Sequence, residues 1–367
     1  MMLDLLILTD SYPPLLGGGE IVVQKICEAF GAHGARVSVL TPKRHGIEFD
    51  ASVTEIECLQ VAGVRIMDPA SLYRQLKKRK PTAVLLMGPS ANNLSAGFLS
   101  LRRRIPTFTF YFGDLNWASW PGRMLQRPFF RWLLPKCAIV FTYSRNLVVS
   151  LVERGVPADK IVFSGIASDL PLFSEPVIDR DNAIVFIGGL GRSHQYKRPD
   201  LLLRALPLLS DVRTTIRFIG GGDSAWLKAL ANSLDVADRV SFLGVLDEAE
   251  KRRLLRRARA LVLPSPTARE GFGLVVLEAM RCGTPVVVGV RAGAAELVDR
   301  TGFGATWAGY APADLARAID TVLNFSPVEV HGGFRNFSEI SPEFSWEKVS
   351  PLIVGRMNAA LGRASAS

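Results

Sequence analysis

The sequence predicts an α/β chain built from two doubly wound, mainly parallel sheets, and three observations carry that prediction. Short apolar, β-branched runs recur along the chain, each followed by a turn and a helix-period stretch. The runs are apolar on both alternation phases, as strands covered by helices on both sheet faces are. The series also breaks once at a polar, proline-containing segment and restarts, and 367 residues suffice for about two domains with a full core each.

The first predicted strand is Asp4–Asp10. A Gly17-Gly18-Gly19 loop follows, then an amphipathic helix over Glu20–His33 with Val22, Ile26, Ala29 and Phe30 on one face. Further strands are expected at Arg36–Thr41, Ala83–Gly88, Pro106–Phe112, Ala138–Ser144 and Ile161–Gly165. The break falls near Leu170–Asp181 (LPLFSEPVIDRD). Beyond it the strands Ala183–Gly188, Ile216–Gly220, Val240–Gly244, Ala260–Pro264 and Val286–Val290 form the second series. The expected division is a first domain over 1–172, a linker over 173–181, a second domain over 182–343, and a helical tail over 344–367 in which Pro351 favours a kink. Two such domains facing one another would line a single cleft with the carboxyl ends of both sheets.

Composition narrows the classes of function. Four scattered cysteines without a C-x-x-C pair remove a zinc ribbon and argue against a disulfide framework, and a reducing, cytoplasmic setting is expected. No basic leader precedes the first apolar run, and no uncharged apolar run reaches the ~18 residues of a spanning helix. The net charge of +10 is localised: Arg65–Arg145 holds fourteen Lys/Arg against Asp68 and Asp114. Either a solvated basic face or a polyanionic partner accounts for that surplus. Arg123, Arg127 and Arg131 recur every four residues among Phe129, Phe130, Trp132, Leu133 and Leu134. That is the composition of a membrane-interface helix, or of an ordinary amphipathic helix packed on a sheet, with Pro128 interrupting it. An anionic membrane surface is therefore a candidate partner, on the inner face of the membrane, and no nucleic acid is expected because no recognised module is present.

The most specific motif is Glu270-Gly-Phe-Gly-Leu-Val-Val-Leu-Glu278, directly after a predicted strand and a short loop. Gly271 and Gly273 permit close backbone approach, and a helix N-terminus offers unpaired N–H groups and a positive dipole end to a diphosphate. Glu278 lies only about 7 Å down that helix, so Glu270 and Glu278 would bracket the diphosphate and accept hydrogen bonds from hydroxyls. Spacing alone leaves Glu278 open as a helix-surface residue and Glu270 as an acid favoured near a helix start. Lys197 has an independent rationale: a departing nucleoside diphosphate develops negative charge that a pre-placed cation stabilises. His33, His45 and His331 form no metal pattern, and Asp179-Arg180-Asp181 lies in the expected linker and reads as solvent charge, so no metal or other cofactor is expected.

The stretch SPTAREGFGLVVLEAMRCGTPVVVGVRAGAAELV closely resembles the nucleotide-sugar signature of family 4 retaining glycosyltransferases of the GT-B fold, which pairs two Rossmann-like domains. The resemblance implies that Glu270 contacts the donor sugar and Glu278 the ribose, with the amides of Gly273, Leu274 and Val275 on the phosphates and Gly271 and Phe272 also in the donor site. TDSYPPLLGGGEIVVQKICEAF resembles the family's N-terminal glycine loop, which would bring Gly17 and Gly18 to the donor phosphates. FIGGLGRSHQYKRPDLLLRAL resembles the loop carrying the family's lysine, here Lys197, and DRVSFLG the base-contacting segment, which nominates Arg239 and Val240. FSWEKV resembles the tail that crosses back to the N-terminal domain.

The chain departs from that pattern in three places. Gly189 stands where an arginine usually accompanies the lysine, leaving Arg192 or Arg198 as substitutes. Phe112-Gly113-Asp114 has phenylalanine where a histidine is usual, and Ala167 replaces an aspartate. Asp114 stays a candidate acceptor-side catalytic group, or a turn former beside Gly113. The expected activity is metal-independent, retaining transfer from a UDP- or GDP-sugar to a glycan or lipid-linked acceptor in polysaccharide or glycolipid synthesis. A non-catalytic nucleotide-sugar-binding subunit and a sugar-nucleotide epimerase are the alternatives.

Overall fold

The computed structural model describes residues 2–14, 17–44, 46–50, 52–61, 64–113, 127–267 and 269–362. The chain divides into two compact units. One comprises Met1–Ile166 with Trp346–Ser367, the other Ala167–Ser345.

The first unit holds a seven-stranded sheet. Its strands are β1 (Asp4–Thr9), β2 (Arg36–Pro42), β3 (Val53–Ile56), β6 (Ala83–Met87), β7 (Thr107–Tyr111), β8 (Ile139–Thr142) and β9 (Ile161–Phe163), with β4 (Cys58–Val61) and β5 (Val64–Met67) forming a separate antiparallel hairpin. The order is β3-β2-β1-β6-β7-β8-β9, parallel throughout. The chain winds outward from β1 to β3 and then returns to β6, so the strand order reverses between β1 and β6. All five residues of β6 and of β7 are buried, which explains why these runs read as apolar on both phases. Helices α1 (Gly18–Ala32), α2 (Pro69–Arg79) and α3 (Ala91–Arg102) cover the sheet together with Arg145–Glu153. The helix Trp346–Ala360 packs against α1 and runs through Pro351, burying Val349, Ile353, Val354 and Met357.

The second unit repeats the plan with β10 (Asp181–Ile187), β11 (Thr215–Ile219), β12 (Val240–Phe242), β13 (Ala258–Leu263), β14 (Val286–Gly289) and β15 (Gly304–Trp307). The order is β12-β11-β10-β13-β14-β15, again all parallel, and it reverses between β10 and β13. Phe186 and Phe218, fully buried with ring centroids 5.4 Å apart, anchor its core; each such side chain contributes about 1.5–3 kcal/mol by leaving water. Residues 167–180 belong to this unit: the Phe173 amide donates to Arg281 O, and the Arg180 guanidinium donates to Ala258 O at 2.7 Å and Gly283 O at 2.5 Å. No helix among the described residues is long and apolar enough to cross a membrane.

Candidate functional site

In an open parallel sheet, ligands bind outside the carboxyl ends of the strands where the order reverses. In the second unit that point lies between the loops leaving β10 and β13, and both loops carry the residues nominated from sequence. From β10 the chain passes Gly188 and Gly189 into a tight 3₁₀ turn over Arg192–Lys197, and Arg198, at φ 54°, starts the next helix. From β13 it passes Ser265 to Glu270 and then Gly273. The two loops are tied together, because Ser265 Oγ donates to Tyr196 O at 3.1 Å and Lys197 Nζ lies 2.6 Å from Glu270 Oε2. Both side chains of that ion pair are about nine-tenths buried. Burial works against the Lys197 charge, but Glu270 and then Tyr196 outweigh it and hold the ammonium above the ordinary lysine range. Tyr196 forms the floor: its ring lies 5.3 Å below the Lys197 ammonium and 4.5 Å below the Arg269 guanidinium.

Gly273 caps the helix Leu274–Arg281 in the left-handed region, φ 89°, and a Cβ there would meet Leu263 Cδ2 at 2.6 Å, so both backbone and space call for glycine. No side chain caps this helix, and its first turn contains no acid. Leu274 and Val275 therefore begin a helix whose N-terminal amides are available to an anion. The preceding loop is clamped from behind: Gly293 and Ala294 donate their amides to Gly271 O and Phe272 O, and Phe272 is buried. One turn into the helix, Glu278 is buried. Its Oε2 lies 3.1 Å from Lys251 Nζ, an ion pair whose ammonium also reaches Glu248 at 2.8 Å. Burial, opposed by Lys251, holds this carboxyl above the ordinary carboxylate range. Lys251, on the helix Glu248–Arg257, escaped the sequence reading; it lies 27 positions before Glu278 and no local pattern links the two.

Glycines bring the neighbouring loops close. A Cβ at Gly220 would collide with Gly188 O, and one at Gly222 would approach the Gly191 amide to 2.6 Å. Gly220 donates to Gly244 O, which places Gly244 and the exposed Val245 at the same carboxyl edge. Arg239 and Val240 are a correction to the sequence reading. They sit at the amino end of β12, the far end from Lys197 and Gly273, and the Arg239 guanidinium donates to Thr214 O and Leu206 O. The position beside Lys197 where an arginine was sought is also accounted for: the His194 ring lies over Gly189, 2.6 Å from where a Cβ would stand, while Arg198 forks onto Asp200. Asp181 of the Asp-Arg-Asp sequence is held at the start of β10 by Arg217 and Arg257.

In the first unit the order reversal between β1 and β6 carries a pocket of about 130 Å³, most of whose residues belong to no sequence motif. Asp10 follows β1, and its half-buried carboxylate accepts from Asn92 Nδ2 at 2.7 Å; desolvation raises this carboxyl, with Asn92, Ser90 and Arg44 opposing. Arg44 and Arg65 line the same pocket. Gly18 opens α1 and is exposed, while Gly17 stands in extended backbone where a Cβ would run into the Glu20 carboxylate. Phe112 forms an aromatic stack with Tyr143 (5.2 Å, 12°) and Phe110, so a hydrocarbon face occupies the place where a histidine was sought. Asp114 and Arg123 lie outside the described residues.

Comparison with known proteins matches this fold. Sucrose-phosphate synthase from Thermosynechococcus elongatus superposes with a TM-score of 0.77 at 20% identity, covering 98% of this chain and 99% of that one. Anabaena HepE in complex with UDP-glucose superposes with a TM-score of 0.77 at 17% identity over 97% and 99%. At such identities the likeness establishes the shared GT-B fold. Residues 173–330 match the glycosyl transferases group 1 family and residues 16–163 match glycosyltransferase family 4, and between them the two matches span most of the chain. The chain belongs to family 4 of the glycosyltransferases. Its curated relatives include the D-inositol 3-phosphate glycosyltransferases of Mycobacterium sp. strain KMS (36% identical over 155 residues, 40% of this chain and 34% of the relative) and Mycolicibacterium smegmatis (31% over 220 residues, 58% and 48%). The chain thus spans between a third and a half of the length of these relatives.

Proposed function

We propose that the chain transfers a sugar, with retention of anomeric configuration and without a metal, from a UDP- or GDP-sugar to a glycan or lipid-linked acceptor. The observation that carries the reading is the convergence, at one sheet reversal, of a buried lysine–glutamate pair, an uncapped helix start and a second buried carboxylate, that of Glu278. A diphosphate fits the amides of Gly273 to Val275, with Lys197 close by to stabilise the charge left as the sugar departs. Glu278 Oε2 accepts from a ribose hydroxyl, and Glu270, fixed by Lys197, accepts from hydroxyls of the donor sugar. Retention follows the family resemblance. The Asp10–Asn92 pocket is the acceptor-side candidate in the first unit.

The test is a thermal-shift panel of nucleotide sugars in EDTA, followed by product analysis with acceptors. A nucleotide sugar should stabilise the protein, and transfer should persist in EDTA with the product anomer matching the donor; a requirement for added divalent metal would remove the role given to Lys197. The Phe112 stack favours a second reading, donor binding without transfer. Stabilisation by a nucleotide sugar with no turnover across an acceptor panel would select it.

A further inference from the structure

We propose that the face of the first unit formed by α2, α3 and the segment Phe129–Lys136 docks on an anionic lipid bilayer. The three elements lie side by side, with α3 between the other two. Through residues 69–80, 91–104 and 127–136 the sequence contains no acidic residue. Exposed cations line each element: Arg74, Lys77, Lys78 and Lys80 on and just beyond α2, Arg102 to Arg104 at the end of α3, and Arg127, Arg131 and Lys136 on the third.

The same face carries aromatic rings at its surface. Phe98, 48% exposed, packs against Trp132 with centroids 5.3 Å apart, and Lys136 Nζ lies 4.7 Å over the Trp132 ring. Tyr73, 42% exposed, lies 5.5 Å beneath the Arg103 guanidinium. Rings held at the surface beside cations match a bilayer's headgroup level, where the rings enter the interface and the cations meet lipid phosphates. A second copy of this chain would bring like charges together, and a nucleic-acid backbone would leave Phe98 without a use.

The inference deepens the lipid-linked acceptor in the reading above. Its readout needs no turnover, so failure of transfer and failure of docking are separable. The full chain is sedimented with vesicles of phosphatidylcholine alone or containing a minority of phosphatidylglycerol. Binding should require phosphatidylglycerol and weaken as potassium chloride is added. The triple variant Lys77→Glu, Lys78→Glu, Arg103→Glu should bind roughly a hundredfold more weakly. Phe98→Ser should bind severalfold more weakly even at low salt, and both variants should unfold at the parent's temperature. Equal binding to neutral vesicles, or an unchanged affinity of the folded triple variant, overturns the proposal. So does displacement from vesicles by RNA at equal phosphate concentration.

Discussion

Replacing Lys197 by Met leaves the Glu270 carboxylate buried without its counter-ion, and replacing Glu270 by Gln does the converse to Lys197. Breaking one partner of a buried pair costs about 3–5 kcal/mol. For a unit of this size each kcal/mol moves the midpoint by about 2–4 °C, so either single variant should unfold about 6–20 °C lower. The double variant, Lys197→Met with Glu270→Gln, buries no unpaired charge and should return to within about 1–2 kcal/mol of the parent. Turnover should not return with it. Loss of the cation that stabilises the leaving diphosphate should lower kcat by about 10²–10³-fold in the single and the double variant alike. Because the folded lysine titrates above its ordinary value of 10.5, the pair's contribution is fully present below that value and is lost only as pH rises through the folded one. Measurements near neutral pH therefore see it intact. Urea unfolding of the four proteins gives the stability cycle, and sugar transfer gives the kinetic one. Additive losses in the double variant, or transfer surviving Lys197→Met, would refute the reasoning.

Because Lys251 keeps a second carboxylate partner in Glu248, Glu278→Gln should leave the apo protein as stable or more so at neutral pH while weakening nucleotide-sugar binding. With its folded pKa raised by burial, the native carboxyl contributes stability below its ordinary value of 4.5 that is lost as pH rises through the folded one. The parent should thus gain on this variant as pH falls, which urea midpoints across pH will show. Gly273→Ala should cost about 1–3 kcal/mol by strain at φ 89° and contact with Leu263, and should abolish stabilisation by nucleoside diphosphates in a thermal-shift assay. Arg239→Ala should destabilise by about 1–3 kcal/mol, because Thr214 O and Leu206 O lose a charged donor, yet leave nucleoside-diphosphate affinity unchanged in calorimetry.

Much of this was legible in the residues. Strands buried on both faces need apolar side chains on both phases, so β1, β6, β7, β10, β13 and β14 stood out. The strand Val53–Ile56, the hairpin Cys58–Met67 and the strand Gly304–Trp307 did not; the first has Thr54 and Glu55 at its centre, and all are short and peripheral. The Gly273 turn and the two glutamates were visible because a helix start, close backbone approach and carboxylates have a fixed spacing along the chain. Arg239 misled because proximity to a strand in sequence does not say which end of the sheet its long side chain will serve. Lys251 and the Asp10–Asn92 pair were invisible for the opposite reason, being contacts between elements that only the strand order brings together.

The first unit is assembled from both ends of the sequence, whereas the second is one uninterrupted stretch. During synthesis the ribosome therefore releases a complete second unit before it has delivered Trp346–Ala360, the helix that closes the first unit over α1. The earlier-made half must wait, with that flank of α1 uncovered, until residues 346–360 emerge. Chain termination just after Ser345 would spare the half that is encoded second and cripple the half that is encoded first.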